Sequence, residues 1–394
     1  MNGGYRFIRI AFARTIASAA TLMVSTLPFG VGPVEAQIPA PPQDHPIALT
    51  GGTINTVTNG VIPNGTIVFE NGIITAVGTD VEIPSDAERV DVSGRHVYPG
   101  MVDGNSAMGL FEIGGFDVTI DLDELGTITP NVRAEVAVNP ESRHIGVARS
   151  HGVLVTVSSP QGGLISGQAA AMMLDGWTWE EMTLESGVGM IVNWPSPNEE
   201  EEGEYVSSIR ELRDALTWAE EEDVRIVIRG GRDAPYVADH LAAKGIPVMI
   251  TSVLTSPSRQ WEPYDSEYIL PAQLFEAGVR FAIVGGSNVA YEYRLPHEAG
   301  TAVAFGLPED EALKAVTLYP AEFLGFDDRV GSLEVGKDAT LLITTGSPLE
   351  YSTLFEQAYI EGREIDMVDQ QRYFFEKYME RLRQSKAATD PEDS

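Results

Sequence analysis

Between Ile47 and Val97 the apolar positions fall in short β-branched runs broken by turn pairs. Thr66-Ile67-Val68-Phe69 and Ile73-Ile74 flank Asn71-Gly72, and Asn59-Gly60 and Asn64-Gly65 punctuate the same stretch. Asn and Gly both accept the positive φ that a tight hairpin turn requires, so this pattern predicts a small antiparallel sheet. From Val102 to about Asp328 the period changes. Apolar runs at 153–157, 225–228, 247–250 and 280–284 alternate with amphipathic stretches at 206–222, 234–244, 271–277 and 308–316. Strands alternating with helices predict βαβ units and a parallel sheet, and roughly 230 residues of them suit a TIM-like (β/α)8 barrel. The Gly- and Trp-rich interval 162–192 interrupts the alternation and reads as an inserted hairpin. After Arg329 the β signature returns at 332–334, 339–343 and 357–360.

The pattern therefore predicts an α/β chain in which 99–328 form the barrel. Residues 47–98 and 329–365, from its two flanks, pair into one small discontinuous β-sandwich domain. Residues 37–46 form a Pro-rich leader. A C-terminal helix within 366–385 places Phe375, Tyr378, Met379 and Leu382 on one face and is expected to dock on the body. Residues 386–394 are expected to be disordered.

The first 36 residues have a different character. Arg6, Arg9 and Arg14 precede an apolar run of small residues, and Val34-Glu35-Ala36 supplies small side chains at the two positions a signal peptidase reads. This is the order of a secretory signal, so the chain is expected to be exported, periplasmic or secreted. Later in the chain no run reaches the ~18 apolar residues of a membrane span. Composition narrows the chemistry. With no Cys, disulfides, thiolate metal sites and a cysteine nucleophile are excluded. A formal charge of −32, from 58 Asp and Glu against 26 Lys and Arg, argues against nucleic acid or an anionic bilayer as partner.

Particular strings sit on this layout. They are Gly65-Thr66-Ile67-Val68, then Asn71 through Gly78, then Val97-Tyr98-Pro99-Gly100-Met101-Val102-Asp103; further on come Thr317 through Ala321 with Gly325, and Gly331-Ser332-Leu333-Glu334-Val335-Gly336-Lys337-Asp338-Ala339. In order and spacing the chain resembles the amidohydrolase superfamily, especially its imidazolonepropionase-like and dihydroorotase-like members, over about 47–365. The resemblance implies a distorted barrel beside a sandwich built from both chain ends, and metal-dependent hydrolysis of C–N bonds in cyclic amides.

The site strings depart from that family. Its first barrel strand ends Asp-x-His-x-His, with both histidines on a divalent metal; here the positions read Asp103, then Asn105 and Ala107. An amide oxygen is a poor ligand for zinc and a methyl group is none. The family's catalytic Asp falls on Asn288, which cannot act as a general base. Arg229 stands where the fifth strand would carry a ligand His, and a guanidinium repels a cation. Thr251 follows the sixth strand in place of another His. Lys244 and Lys314 both sit in helical segments, which leaves no strand lysine for carbamylation. His144, His151 and His240 are poorly placed for a site at strand ends, and only His297 follows the eighth strand. Asp117, Asp121, Asp123 and Glu124 form an acidic loop whose oxygens suit Ca²⁺ or Mg²⁺, or simply water.

Two functions of different class follow. One is the inherited hydrolase. The other is a binding or assembly protein without metal or other cofactor, which keeps a pocket lined by Asn105, Arg229, Asn288 and His297 for a small ligand and pairs with itself or a homologue.

Overall fold

The computed structural model describes residues 38–193, 204–257, 259–286 and 288–389. The expected signal segment and residues 390–394 lie outside them. The chain folds into fifteen described strands. The first five are β1 (Ile47–Asn55), β2 (Val61–Glu70), β3 (Ile73–Gly78), β4 (Glu88–Asp91) and β5 (His96–Pro99). Then come β6 (Met101–Ser106), β7 (Val153–Ser158), β8 (Ile165–Met173) and β9 (Thr183–Val192). β10 (Ile228–Gly230), β11 (Val248–Ile250) and β12 (Phe281–Ile283) follow between helices, and β13 (Leu341–Thr344), β14 (Phe355–Ile360) and β15 (Arg363–Ile365) end the set. The result is a mixed α/β fold.

The first and last groups of strands share one sheet, in the order β15-β14-β13-β5-β1-β2-β3, with β4 parallel to β1. Its seam is β5, which pairs parallel with β1 and antiparallel with β13. Alternating apolar residues give this sheet a core of its own, where Phe69 meets the edge of Tyr359 at 5.1 Å between ring centroids. Asn71 and Gly72 take φ of 52° and 81° and turn β2 into β3. Asn64-Gly65 has the same local chemistry but a different outcome. It lies inside β2, where the register against β1 shifts opposite Gly52. A Cβ on Gly65 would stand 2.8 Å from Ile54 Cδ1, so the pair bends a strand instead of joining two.

Two smaller sheets carry the middle of the chain. β6 and β7 are parallel, and β8 and β9 extend them as an antiparallel hairpin. β10, β11 and β12 form a parallel trio. The strand expected at 225–228 begins only at Ile228. The Val224 amide closes the preceding helix, Glu204–Glu221, by donating to the Ala219 carbonyl; 225–227 are irregular, and Arg225 reaches the Phe323 carbonyl at 2.9 Å. Pro271, expected at a helix start, lies inside helix Ser266–Glu276.

A buried ion network fastens distant parts of the chain. Asp175, just past β8, accepts from Arg149 and Arg363 at 2.9 Å each and from the Ala40 amide at 3.1 Å. Burial raises the Asp175 pKa and lowers that of Arg149, against their mutual attraction.

The last helix, Gln370–Thr389, overturns an expectation. Its residues 386–389 are helical and not disordered, and its apolar face does not dock: Phe375, Tyr378 and Leu382 are 65%, 53% and 55% exposed. Its start is fixed. Asp369 caps it by accepting from the Arg372 amide at 2.6 Å and takes a hydrogen bond from Ser150 at 2.8 Å. Among the described residues no helix is long and apolar enough to cross a membrane.

Candidate functional site

β6 is buried along its whole length, so the polar residues in it are committed to internal partners. Asp103 Oδ1 accepts from the Asn105 amide at 3.0 Å, and Oδ2 accepts from the Gly285 amide at 2.9 Å. The second bond stitches β6 to the segment that leaves β12. Glycine suits this position because of close approach: a Cβ on Gly285 would lie 2.5 Å from Asp103 Oδ2 and 3.0 Å from Glu292 Oε2.

Those contacts bring two acids to one place. Glu292, on the 3₁₀ turn Val289–Arg294, is 1% exposed, and neither of its carboxylate oxygens has a partner that satisfies hydrogen-bond geometry. Its pKa is pushed well above the usual carboxylate range, first by burial and then by the charge of Asp103, with Ser106 acting the other way. Burial raises Asp103 too, but the two amides on it act in opposition. A single proton on the pair removes their repulsion, and burial of both carboxyls favours keeping it.

Beside this pair stand two residues of the sequence motif. Arg229, on β10, donates to Asn105 Oδ1 at 3.2 Å through Nη1 and to Asn193 Oδ1 at 3.2 Å through Nη2. The side chain is exposed over part of its length, yet burial of the guanidinium lowers its pKa. No carboxylate among the described residues pairs with it. Asn193 is held in turn by the carbonyls of Gly162 and Gly163 and by Ser166, at 3.2, 2.9 and 3.0 Å. The glycine-rich turn therefore serves as a mount for Asn193.

The remaining candidates are dispersed. Ala107 is fully buried in the core. Thr251 is half-buried after β11, and its carbonyl would lie 3.0 Å from a Cβ on Gly286. Asn288 is exposed and caps its own 3₁₀ turn, accepting from the Ala290 amide at 3.2 Å. His297 stacks on Tyr351 at 3.9 Å, with Nδ1 buried and unpartnered; burial and nearby His151 lower its pKa. Asp117, Asp121, Asp123 and Glu124 are exposed, and among the described residues no three His, Asp or Glu side chains gather as a metal cluster.

Two buried acids on the segment that follows β12 had no role in the motif reading. Glu292 is one. Glu298 is the other: its Oε2 accepts from the Val253 and Leu254 amides at 2.5 and 2.6 Å and fixes the loop after β11. The available signal was the string Tyr291-Glu292-Tyr293-Arg294-Leu295-Pro296-His297-Glu298, where isolated acids stand among aromatic and apolar neighbours.

Comparison with known proteins agrees with the sequence motifs. The model of the amidohydrolase family matches residues 276–368. The chain is 23% identical over 392 residues to an amidohydrolase, tasK, of Hapsidospora irregularis, the match covering 76% of this chain. It is 40% identical over 82 residues, 20% of this chain, to the imidazolonepropionase of Syntrophobacter fumaroxidans. These matches span only 39% and 19% of the relatives' own lengths. A crystal structure of an amidohydrolase from Thermotoga maritima superposes with a TM-score of 0.72 at 25% identity, covering 81% of this chain and 99% of that one. In sequence and in fold, the chain is related to the amidohydrolase superfamily.

Proposed function

We propose that this chain is a ligand-binding member of the superfamily that does not hydrolyse amides by the metal route. On this reading β6, β7 and β10–β12 belong to one (β/α)8-type barrel, with the eight-stranded sheet as a discontinuous sandwich beside it. The chain works outside the cytoplasm after loss of residues 1–36. The observation that carries the proposal is the hydrogen bond between Arg229 and Asn105, the two residues that stand where the resemblance implies metal ligands.

The donor set does not fit a catalytic transition metal. Asn105 spends its amide oxygen on a guanidinium, Ala107 offers a buried methyl, and the Arg229 charge opposes a cation. Asn288 cannot take a proton from water. The same groups suit a ligand that is a small carboxylate or amide. A guanidinium with N–H groups to spare binds a carboxylate in its own plane, and Asn193 holds the plane in position.

Protein purified without chelator should carry no stoichiometric zinc, manganese or nickel by mass spectrometry, and cyclic amides should turn over at background. A library of small carboxylates and amides should contain compounds that raise the melting temperature, an effect lost in Arg229→Ala. A ligand at 100 times its Kd stabilises by about 2.7 kcal/mol, which a thermal shift resolves. One equivalent of metal, released by Asn105→Ala, together with hydrolysis above background, would overturn the proposal in favour of the inherited hydrolase.

A further inference from the structure

The final helix and the loop after β6 are both uncovered, and they are opposite in kind. At about 100° per residue, Phe374, Phe375, Tyr378, Met379 and Leu382 of Gln370–Thr389 share an arc about 140° wide. Lys377 and Arg381 border one edge, Arg372 and Arg383 border the other, and Glu376 and Glu380 lie opposite. The helix carries five Lys and Arg against two Glu, in a chain whose formal charge is −32. Lys377 lies over the Phe374 ring at 5.9 Å, so the basic border already touches the aromatic arc.

The second surface is the segment 112–128. It holds Glu112, Asp117, Asp121, Asp123 and Glu124 and no Lys or Arg. Leu122 packs against the core, but other apolar side chains face outward: Phe116, Val118 and Leu125 are 62%, 90% and 100% exposed. Its backbone is nevertheless well pinned. The Asp121 amide donates to the Leu110 carbonyl, and the Gln161, Leu164 and Ile165 amides donate to the carbonyls of Leu122 and Thr127. An ordered loop that presents apolar groups to water among carboxylates is a surface formed without its cover.

We infer that the cover is the terminal helix of a second copy of this chain, its aromatic arc laid on segment 112–128 and its basic borders on the acids around it. The charges select this pairing. Two terminal helices face to face would set basic borders against basic borders, and two 112–128 segments would set acid against acid. Helix on loop is the complementary combination. Within one copy these surfaces do not cover each other, since both are exposed. Exchanged reciprocally, they close a two-fold dimer with two identical contacts. The loop leaves β6, which carries Asn105, and it backs the turn that mounts Asn193, so each partner's helix would lie beside the site that holds Arg229.

Sedimentation of the full chain should give a dimer at about 100 μM, in the range where modest interfaces assemble. Phe375→Asp with Tyr378→Asp should give a monomer with unchanged circular dichroism, because both side chains are already exposed. Lys377→Glu with Arg381→Glu should weaken the dimer at least about tenfold, and adding Asp117→Lys with Asp121→Lys should restore it. Three results would overturn the inference. They are a wild-type chain monomeric at that concentration, a dimer indifferent to both sets of substitutions, or a monomer that binds phosphatidylglycerol vesicles through Phe375 and Tyr378. Ligand binding at Arg229 is measured separately on the monomeric variant, so failure here leaves the proposed function standing.

Discussion

Glu292 places a carboxyl group against Asp103 with almost no access to water, and this arrangement makes stability depend on pH. The folded chain holds a proton at the pair more tightly than the unfolded chain, in which such groups titrate near ~4. The pair's contribution is therefore complete below that range and is lost as pH rises through the elevated folded value. Glu298, also raised by burial, adds a smaller slope of the same sign, because the Val253 and Leu254 amides hold its charged form. Glu292→Gln mimics the protonated acid. Its melting temperature should match wild type in mild acid and exceed it above neutrality, with a shallower profile between. Parallel profiles would show that the pair does not hold the proton. Gly285→Ala tests the same spot by size. A methyl group has no room between the two acids, and the crowding should cost about 1–3 kcal/mol in thermal unfolding. Asn105 and Arg229 were legible because the departures from Asp-x-His-x-His and from the histidine of the fifth strand are visible in the letters. For Glu292 the letters offer only aromatic and apolar neighbours, and it is packing that distinguishes a buried acid from the many solvated ones in so acidic a chain.

Elements were legible where local chemistry decides them and illegible where a partner decides them. Asn71-Gly72 makes the hairpin its residues predict. In Asn64-Gly65 only Asn64 keeps a positive φ, of 51°, and the pair becomes a bulge, because β1 runs alongside and supplies the ladder. The terminal helix has the expected period and little of the expected burial, with only Met379 of its face half-buried, since a period defines a face but does not name what covers it. Asp175 shows the converse, a tie between elements that no local pattern announces. It joins helix Arg143–Arg149, the end of β8, β15 and the leader through one carboxylate. Asp175→Ala leaves the buried Arg149 guanidinium without its counterion and should cost about 3–5 kcal/mol by urea denaturation. Replacing all three ions together, as Arg149→Met and Arg363→Met with Asp175→Leu, should recover most of that loss, since Asp175 is the counterion of both arginines. A single substitution costing under ~1 kcal/mol would mean that water or Asp366 compensates the arginine.

Over the whole molecule the excess of acid acts in two directions at once. Like charges distributed over the body repel one another in the folded state, whereas the basic helix and the acidic loop attract across the proposed contact. Added salt shortens the screening length from about 30 Å at 0.01 M to about 8 Å at 0.15 M, which weakens both terms. Screening should therefore raise the melting temperature of the chain while loosening its dimer. Few other arrangements give opposite signs for one variable: a dimer held by apolar contact alone would tighten slightly with salt, and a body without self-repulsion would show a flat melting temperature. The measurement pairs a thermal scan of the Phe375→Asp, Tyr378→Asp monomer with sedimentation of wild type across the same sodium chloride series. Chloride is preferred to sulfate, which strengthens apolar burial by exclusion and would mask the electrostatic sign. A monomer whose melting temperature falls with salt would remove self-repulsion as a property of this fold, and a dimer that tightens would remove charge complementarity as the reason the helix stands uncovered.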